Sequence, residues 1–486
     1  MNRRAFLLAA GLAACGRAPS RRPNILFVMT DDQTVLEMSC YGRNTILKTP
    51  HMDRIAAEGA RFDNCFVTNS LCAPSRATVL TGCYSHVHGI YGNSEKRDAI
   101  ETLDPSLPTF PKLLREAGYR TGLMGKWHLP QNPAGFDDWR ILPGQGVYFD
   151  PDFIVNGERR KVPGYATDIT TDFALEFLSV HAAAPWCLVY QHKSPHRPFT
   201  PAPRHADLFG DVEVPYPETF NDDHGTRKVA AEAEDMQLDV SLAGDYPDLP
   251  PNLSREERKK WIYQRFVKDR YRNIVGVDEN LGRVLGWLDD NGQTEDTVVI
   301  FTSDNGYFLG EYGWYDKRFM YEPSLRVPLV LRYPRLGFRG EIIERMVSNI
   351  DFAPTILDLA GLPVPETMQG RSLRPLLTGA PPADWRTSHY YAYYDNSWAL
   401  HGLGKDAHAD PNFAYLTPHR VGPHRGVRTS RYTLIHYYND DYWELFDNES
   451  DPQQLRNVAG MPSYAAAETE LKRELERLRD QYGDRG

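Results

Sequence analysis

After its first fifteen residues the 486-residue chain has no uninterrupted apolar run long enough to cross a bilayer, which takes about 18 or more residues, so no membrane-spanning helix is expected downstream. Basic charge is not in excess. Lys and Arg number 55 against 65 Asp and Glu, a net charge of −10, and general nucleic-acid binding needs a basic face that this balance does not supply. Nucleic acid is therefore not an expected partner, and any anionic substrate must be met by local positive charge. Cysteine is scarce, six in all, and no paired C-x-x-C spacing points to a zinc site. There is no internal repeat, and 41% hydrophobic with 25% charged residues is an ordinary globular composition, which excludes a disordered chain. The length allows two domains.

The first residues read as a targeting segment. Arg3 and Arg4 precede an apolar run over 5–14 that closes on Leu12-Ala13-Ala14-Cys15. This resembles a bacterial lipobox, and the Arg3-Arg4-Ala5-Phe6-Leu7 run resembles a twin-arginine export signal. The expectation is an exported lipoprotein, periplasmic or at the cell surface, with residues 1–15 as signal and Cys15 as the lipidated residue tethering it to a membrane. Cys40, Cys65, Cys72, Cys83 and Cys187 remain. Export permits disulfides without fixing their pairing, and the odd count leaves at least one thiol over.

Four short apolar runs each lead into polar residues. The run over 24–29 leads into Thr30-Asp31-Asp32, 119–124 into Gly125-Lys126-Trp127-His128, 186–190 into the stretch that ends Lys193-Ser194-Pro195-His196, and 297–302 into Ser303-Asp304-Asn305-Gly306. Fully buried parallel strands read as such runs, and ligands in an open α/β sheet collect beyond the carboxyl ends of its strands. Four polar clusters in that register predict one site. Helical spacing over 51–59, 107–118, 168–181 and 254–290, the last opened by the capping box Ser254/Glu257, fills the intervals. The fold class is α/β, with a catalytic domain over 23–375. The acidic, Pro-rich stretch 204–251 reads as a long surface excursion. Strand-like runs over 390–394, 426–429, 432–438 and 442–446 and a charged helix over 464–482 predict a smaller α+β domain over 381–486.

The most informative stretch is Cys72-Ala73-Pro74-Ser75-Arg76, continuing to Leu80-Thr81-Gly82. Pro74 suits the first turn of a helix, which puts residue 72 at an N-terminus whose free backbone donors favour negative charge. Asp31, Asp32, Asp304 and Asn305 supply three carboxylates and an amide from two strand ends, an all-oxygen set suited to a hard divalent cation such as calcium. Taken singly, Lys126, His128, His196 and Lys317 read as surface or structural residues, Asp-Asn-Gly as a turn, and Cys72 as a buried structural thiol.

Taken together, these motifs resemble the formylglycine-dependent sulfatases of the alkaline phosphatase superfamily, whose C-x-P-S-R and L-T-G positions are all matched. The resemblance implies a large mixed sheet sandwiched by helices. It implies that Cys72 is oxidised to formylglycine by a formylglycine-generating enzyme or its equivalent, and that Arg76 orients the resulting diol. Asp31, Asp32, Asp304 and Asn305 would hold Ca2+. Lys126 would bind sulfate, His128 would act as base on the spare hydroxyl of the diol, and His196 and Lys317 would stabilise and protonate the leaving oxygen. Gly135-Phe136-Asp137-Asp138-Trp139, Pro143-Gly144-Gln145-Gly146 and residues 311–328 are similar to N-acetylglucosamine-6-sulfatases and neighbouring glycosaminoglycan sulfatases. His424-Arg425-Gly426-Val427-Arg428-Thr429 is similar too, and implies that His424 lies near the sugar. Residues 396–418 depart from that pattern. The expected substrate is a sulfated carbohydrate, the 6-O-sulfate of N-acetylglucosamine in glycosaminoglycan degradation. Two alternatives stand beside it: a phosphonate or phosphate-diester hydrolase of the same superfamily, and an inactive glycan-binding lipoprotein.

Overall fold

The computed structural model describes residues 22–93, 101–394 and 421–485. The lipobox with Cys15, and the divergent stretch 396–418, lie outside the described residues. At the centre, Thr297–Ser303, Asn24–Thr30, Trp186–Gln191 and Arg120–Lys126 lie side by side, all parallel. Asp138–Leu142 continues the parallel set, and the antiparallel Leu329–Arg332 borders Thr297–Ser303, so the ten-stranded sheet is mixed. Register aligns Thr30 with Ser303, and Met29 and Gly125 with Gln191. All four carboxyl ends therefore open at one level, as the four polar clusters predicted.

These strands carry no polar alternation because both faces are covered. Ile25, Phe27 and Met29 pack with Ala73, Ala77 and Leu80 of the helix Cys72–Thr81 and with Phe352 and Ile356 of Phe352–Leu359. Leu26 and Val28 point the other way, onto Ala174 and Phe177 of Ala166–His181 and onto Phe266 and Ile274 of Arg255–Asp290. Each such side chain contributes about 1.5–3 kcal/mol by leaving water. Phe27 lies between the rings of Phe110 and Phe352, 6.2 and 6.0 Å away, and its truncation to Ala should cost about 3–5 kcal/mol. The capping box forms as read: Glu257 N–H donates to Ser254 Oγ at 3.2 Å and Ser254 N–H to Glu257 Oε2 at 2.9 Å. The helix expected over 107–118 is shorter, Phe110–Glu116, with Pro111 in its first turn.

One expectation fails. Residues 204–251 are not a mere surface excursion, since Val214, Phe220, Met236, Leu238 and Leu242 are buried and Arg197 bonds both oxygens of Asp245 at 2.5 and 2.7 Å. The segment covers the sheet beside the long helix and carries short helices, including Lys228–Glu232 and Leu238–Ser241.

Towards the C-terminus Ser388–Tyr393, His424–Thr429, Tyr432–Tyr437 and Tyr442–Asp447 form a four-stranded antiparallel sheet. Its outer face holds Leu471, Leu475 and Leu478 of the helix Ala465–Tyr482, and its inner face packs Tyr391, Ile435 and Phe446 on Phe308, Trp314 and Tyr321. The five cysteines within the described residues are unpaired. No helix among the described residues is long and apolar enough to cross a membrane.

Candidate active site

Cys72 is the first residue of its helix, with Leu71 as an N-cap that offers no side-chain bond, so the backbone donors of the first turn are left to other partners. Asn93 Oδ1 accepts the Ala73 N–H at 3.0 Å. The Cys72 Sγ lies 3.3 Å from Asp31 Oδ1 and 3.4 Å from Lys317 Nζ, fully buried. Burial and the Asp31 charge push this thiol well above its ordinary range, so an unmodified thiolate is disfavoured here.

The strand ends bring the remaining charges to it. Arg76, one turn along the helix, donates from Nε and Nη2 to Asp304 Oδ2, and from Nη1 to the Lys126 carbonyl at 2.6 Å and Gln191 Oε1 at 2.9 Å. Lys126 pairs with Asp31 and donates to Gln145 Oε1 at 2.6 Å, while Lys317 pairs with Asp32. Gly125, just before Lys126, has φ +105°, and a Cβ there would meet the Gln191 carbonyl oxygen at 1.8 Å, so the close approach of these strand ends needs glycine. His196 Nε2 faces Asp32 Oδ2 at 3.8 Å, and its Nδ1 lies 2.7 Å from the Arg197 carbonyl oxygen, which fixes the proton on Nδ1 in the neutral ring. His128 is buried two residues beyond Lys126, with φ 57°.

Asp31, Asp32, Cys72 and Asp304 each place a ligand-type atom within 4.8 Å of the others. Burial alone would raise all three carboxyls. For Asp31 the charges of Lys126, His196, Arg76 and Lys317 overcome it and hold the group well below the carboxylate range. Asp32 stays raised by burial despite Lys317, and Asp304 is pushed up to about 7 by burial and by Asp31 against the pull of Arg76. Asn305 donates to Asp32 Oδ1 at 2.5 Å, yet its own Oδ1 is buried without a hydrogen-bond partner among the described residues. Crowded carboxylates beside an orphaned amide oxygen fit a hard divalent cation, whose charge would relieve their mutual repulsion.

Ten of the eleven candidate residues within the described chain thus converge on one group of strand ends and loops. His424 stands apart. It is buried against Tyr391, Tyr393 and Tyr437, with ring centroids 5.6, 5.2 and 5.0 Å away. The hydroxyl of Tyr391 accepts the Ser70 N–H at 3.1 Å and donates to the Arg318 carbonyl at 2.7 Å.

Residues 23–362 match the family model described as Sulfatase, and residues 310–481 match that of the N-sulphoglucosamine sulphohydrolase C-terminal region. The chain belongs to the sulfatase family. It is 41% identical to an N-acetylglucosamine-6-O-sulfatase of Bacteroides thetaiotaomicron, over 98% of this chain and 90% of that one, and 29% identical to human N-acetylglucosamine-6-sulfatase, over 91% and 82%. A solved structure of a protein in complex with its substrate D-glucosamine-2-N,6-O-disulfate superposes with a TM-score of 0.84 at 40% identity, covering 96% of this chain and 99% of that one. A phosphonate monoester hydrolase from Silicibacter pomeroyi, 24% identical with a TM-score of 0.77 over 95% and 96% of the two chains, shares the fold. This sulfatase is a sulfuric ester hydrolase acting on a carbohydrate.

Sequence reasoning missed several of its site residues. Lys193 is 3% exposed, donates to the Arg197 carbonyl at 3.2 Å and lies 5.0 Å over the Tyr148 ring, and burial with the charge of Lys126 lowers it to about 7. Its signal was its place in the polar stretch after a buried strand. Gln145 was visible only as part of a Gly-rich motif.

Proposed function

We propose that this sulfatase removes the 6-O-sulfate of N-acetylglucosamine, using formylglycine made from Cys72 and a calcium ion held by Asp31, Asp32, Asp304 and Asn305. The observation that carries the chemistry is the meeting of Asp31 and Lys317 at the Cys72 side chain on a helix N-terminus. The sugar assignment rests on the 41% identity to the Bacteroides enzyme over 98% of the chain.

Bound calcium supplies a Lewis acid that polarises a sulfuryl oxygen, and hydrated formylglycine supplies paired hydroxyls at position 72. The chain's own residues do the rest. Arg76 fixes Asp304 and the strand ends, while Lys126 and Lys317 offset charge that accumulates on the sulfuryl oxygens. Lys317, held cationic by Asp32 although burial opposes it, gives a proton to the departing sugar oxygen, and His196 Nε2 hydrogen-bonds in the same space. One hydroxyl at position 72 would take the sulfuryl group as the sugar oxygen departs, its proton passing to Asp31, which lies 3.3 Å from the Cys72 side chain. His128 would then take a proton from the hydroxyl that remains, whose oxygen would become a carbonyl as the C–O bond to sulfate breaks. Because Cys72 is fully buried, a formylglycine-generating enzyme or its equivalent must reach it before the chain folds. Conversion trades two hydrogens and the sulfur of Cys72 for one oxygen, a change that the mass of the peptide reads directly. Export as a lipoprotein tethered through Cys15 completes the reading.

The test pairs that mass measurement with turnover of 6-sulfated N-acetylglucosamine, 6-sulfated galactose, 2- and 3-sulfated sugars, and a phosphate diester and phosphonate ester at equal concentration. The 6-sulfated N-acetylglucosamine should be preferred, and activity should vanish in chelator and return with calcium more fully than with zinc. Preference for a phosphorus ester, or full activity in Cys72→Ala, would overturn the reading.

A further inference from the structure

On the long helix Arg255–Asp290, Ile262, Phe266, Ile274, Val277 and Leu281 follow one another at helical spacing and face the sheet. Arg270 occupies the position in that stripe where an apolar side chain belongs, and it is fully buried. Its guanidinium grips Glu37, Nε to Oε1 at 2.8 Å and Nη2 to Oε2 at 2.6 Å, and Nη2 also donates to the Asp32 carbonyl oxygen at 2.5 Å. Glu37 Oε2 in turn accepts the Thr34 N–H at 3.1 Å. The ring of Tyr307, two residues beyond Asn305, lies 4.3 Å from the same guanidinium. Arg270 thus touches both loops that carry the proposed metal ligands.

Asp32 has φ 71°, a left-handed conformation that a non-glycine residue adopts only when its surroundings impose it. Folding stability does not call for the ion pair, since well-packed apolar residues commonly replace a buried pair without loss. An apolar pair, however, could not hold the Asp32 carbonyl. We infer that Glu37 and Arg270 are positioning residues that lock Asp32 in its left-handed turn, so that their loss weakens calcium binding while leaving the fold intact. The inference rests on the calcium reading above.

The test compares the metal-stripped wild type with Arg270→Lys and the double variant Glu37→Leu/Arg270→Met. Lysine keeps the charge opposite Glu37 but lacks the planar fork that reaches Asp32 as well. The double variant leaves no unpaired charge behind. Calcium affinity is measured by calorimetry and Tm is measured in chelator. The expected result is a Tm close to wild type in at least one variant, a calcium Kd raised roughly 10- to 100-fold, and turnover that recovers as calcium is raised. Wild-type calcium affinity in a folded variant would overturn the inference alone. A wild type that binds no calcium would overturn the metal reading and this inference with it.

Discussion

Arg76 places both Nε and Nη2 on one oxygen of Asp304, at 3.0 and 2.8 Å, leaving the other oxygen to accept the Asp32 backbone N–H at 3.1 Å. One side chain thereby ties the helix that begins at Cys72 to both loops that bear carboxylates. Arg76→Ala leaves Asp304 buried without its cation, which should cost about 3–5 kcal/mol in urea unfolding. Arg76→Lys should fold better but lose kcat by roughly 10²–10³ on an aryl sulfate, because a point charge cannot also reach the Lys126 carbonyl and Gln191. A lysine variant with wild-type kcat would show that the fork geometry is dispensable.

Glu444 carries a pH dependence away from the catalytic residues. It lies on the edge strand Tyr442–Asp447 of the small sheet, accepts from Tyr321 at 2.8 Å and Tyr437 at 3.5 Å, and faces Arg227 and Tyr442. Burial pushes its carboxyl up to about 7 despite Tyr321 and Arg227. The folded state therefore holds this proton more tightly than the unfolded chain, so the contribution is fully present below the ordinary glutamate value and is lost as pH rises to about 7. The loss is on the order of 3 kcal/mol. Glu444→Gln should flatten urea-derived stability between pH 5 and 8, on a scale of about 1–3 kcal/mol at the upper end. An unchanged slope would place the titration elsewhere.

The four central strands were legible because burial on both faces removes alternation and leaves apolar runs such as that over 24–29. The same signal placed Asp31, Lys126, His196 and Asp304 beyond the carboxyl ends of the central strands, since each follows or closes such a run. Strands at and beside the edges of the large sheet were not legible. Ala60–Phe62 and Glu341–Ile343 have three residues each, too few for a period, and Glu158–Lys161 is charged and exposed throughout, as edges that avoid pairing with other chains often are. Segment 204–251 misled because its buried residues are irregularly spaced among Asp and Pro. The Glu37–Arg270 pair joins positions far apart in the chain, which no local pattern records.

The proposed lipid anchor is tested separately from the chemistry. Cys15 follows Leu12-Ala13-Ala14, and wild type expressed in a host with lipoprotein processing should start at a modified Cys15 and partition with membranes. Each buried CH₂ of the acyl chains contributes roughly 0.8 kcal/mol to that partitioning. Cys15→Ala should move the protein to the soluble fraction with kcat unchanged. Wild type recovered wholly from cytosol would dismiss the export reading.

His424 gives the test of sugar recognition, because its two ring nitrogens are distinct. Nδ1 lies 2.9 Å from the Gly422 carbonyl oxygen and so carries the proton, while Nε2 is buried with no hydrogen-bond partner among the described residues. Burial lowers the ring to about 4, so at neutral pH Nε2 is an acceptor suited to a sugar hydroxyl. Phenylalanine keeps the stack on Tyr391, Tyr393 and Tyr437 and removes only the nitrogens, so His424→Phe should change stability by less than about 1.5 kcal/mol. One neutral hydrogen bond is worth about 0.5–1.5 kcal/mol, which corresponds to roughly a 2- to 13-fold fall in kcat/KM on 6-sulfated N-acetylglucosamine. A small aryl sulfate has no ring hydroxyl and should be turned over as in wild type. Equal losses on both substrates would mean that His424 supports the pocket through Tyr391 and does not read the sugar.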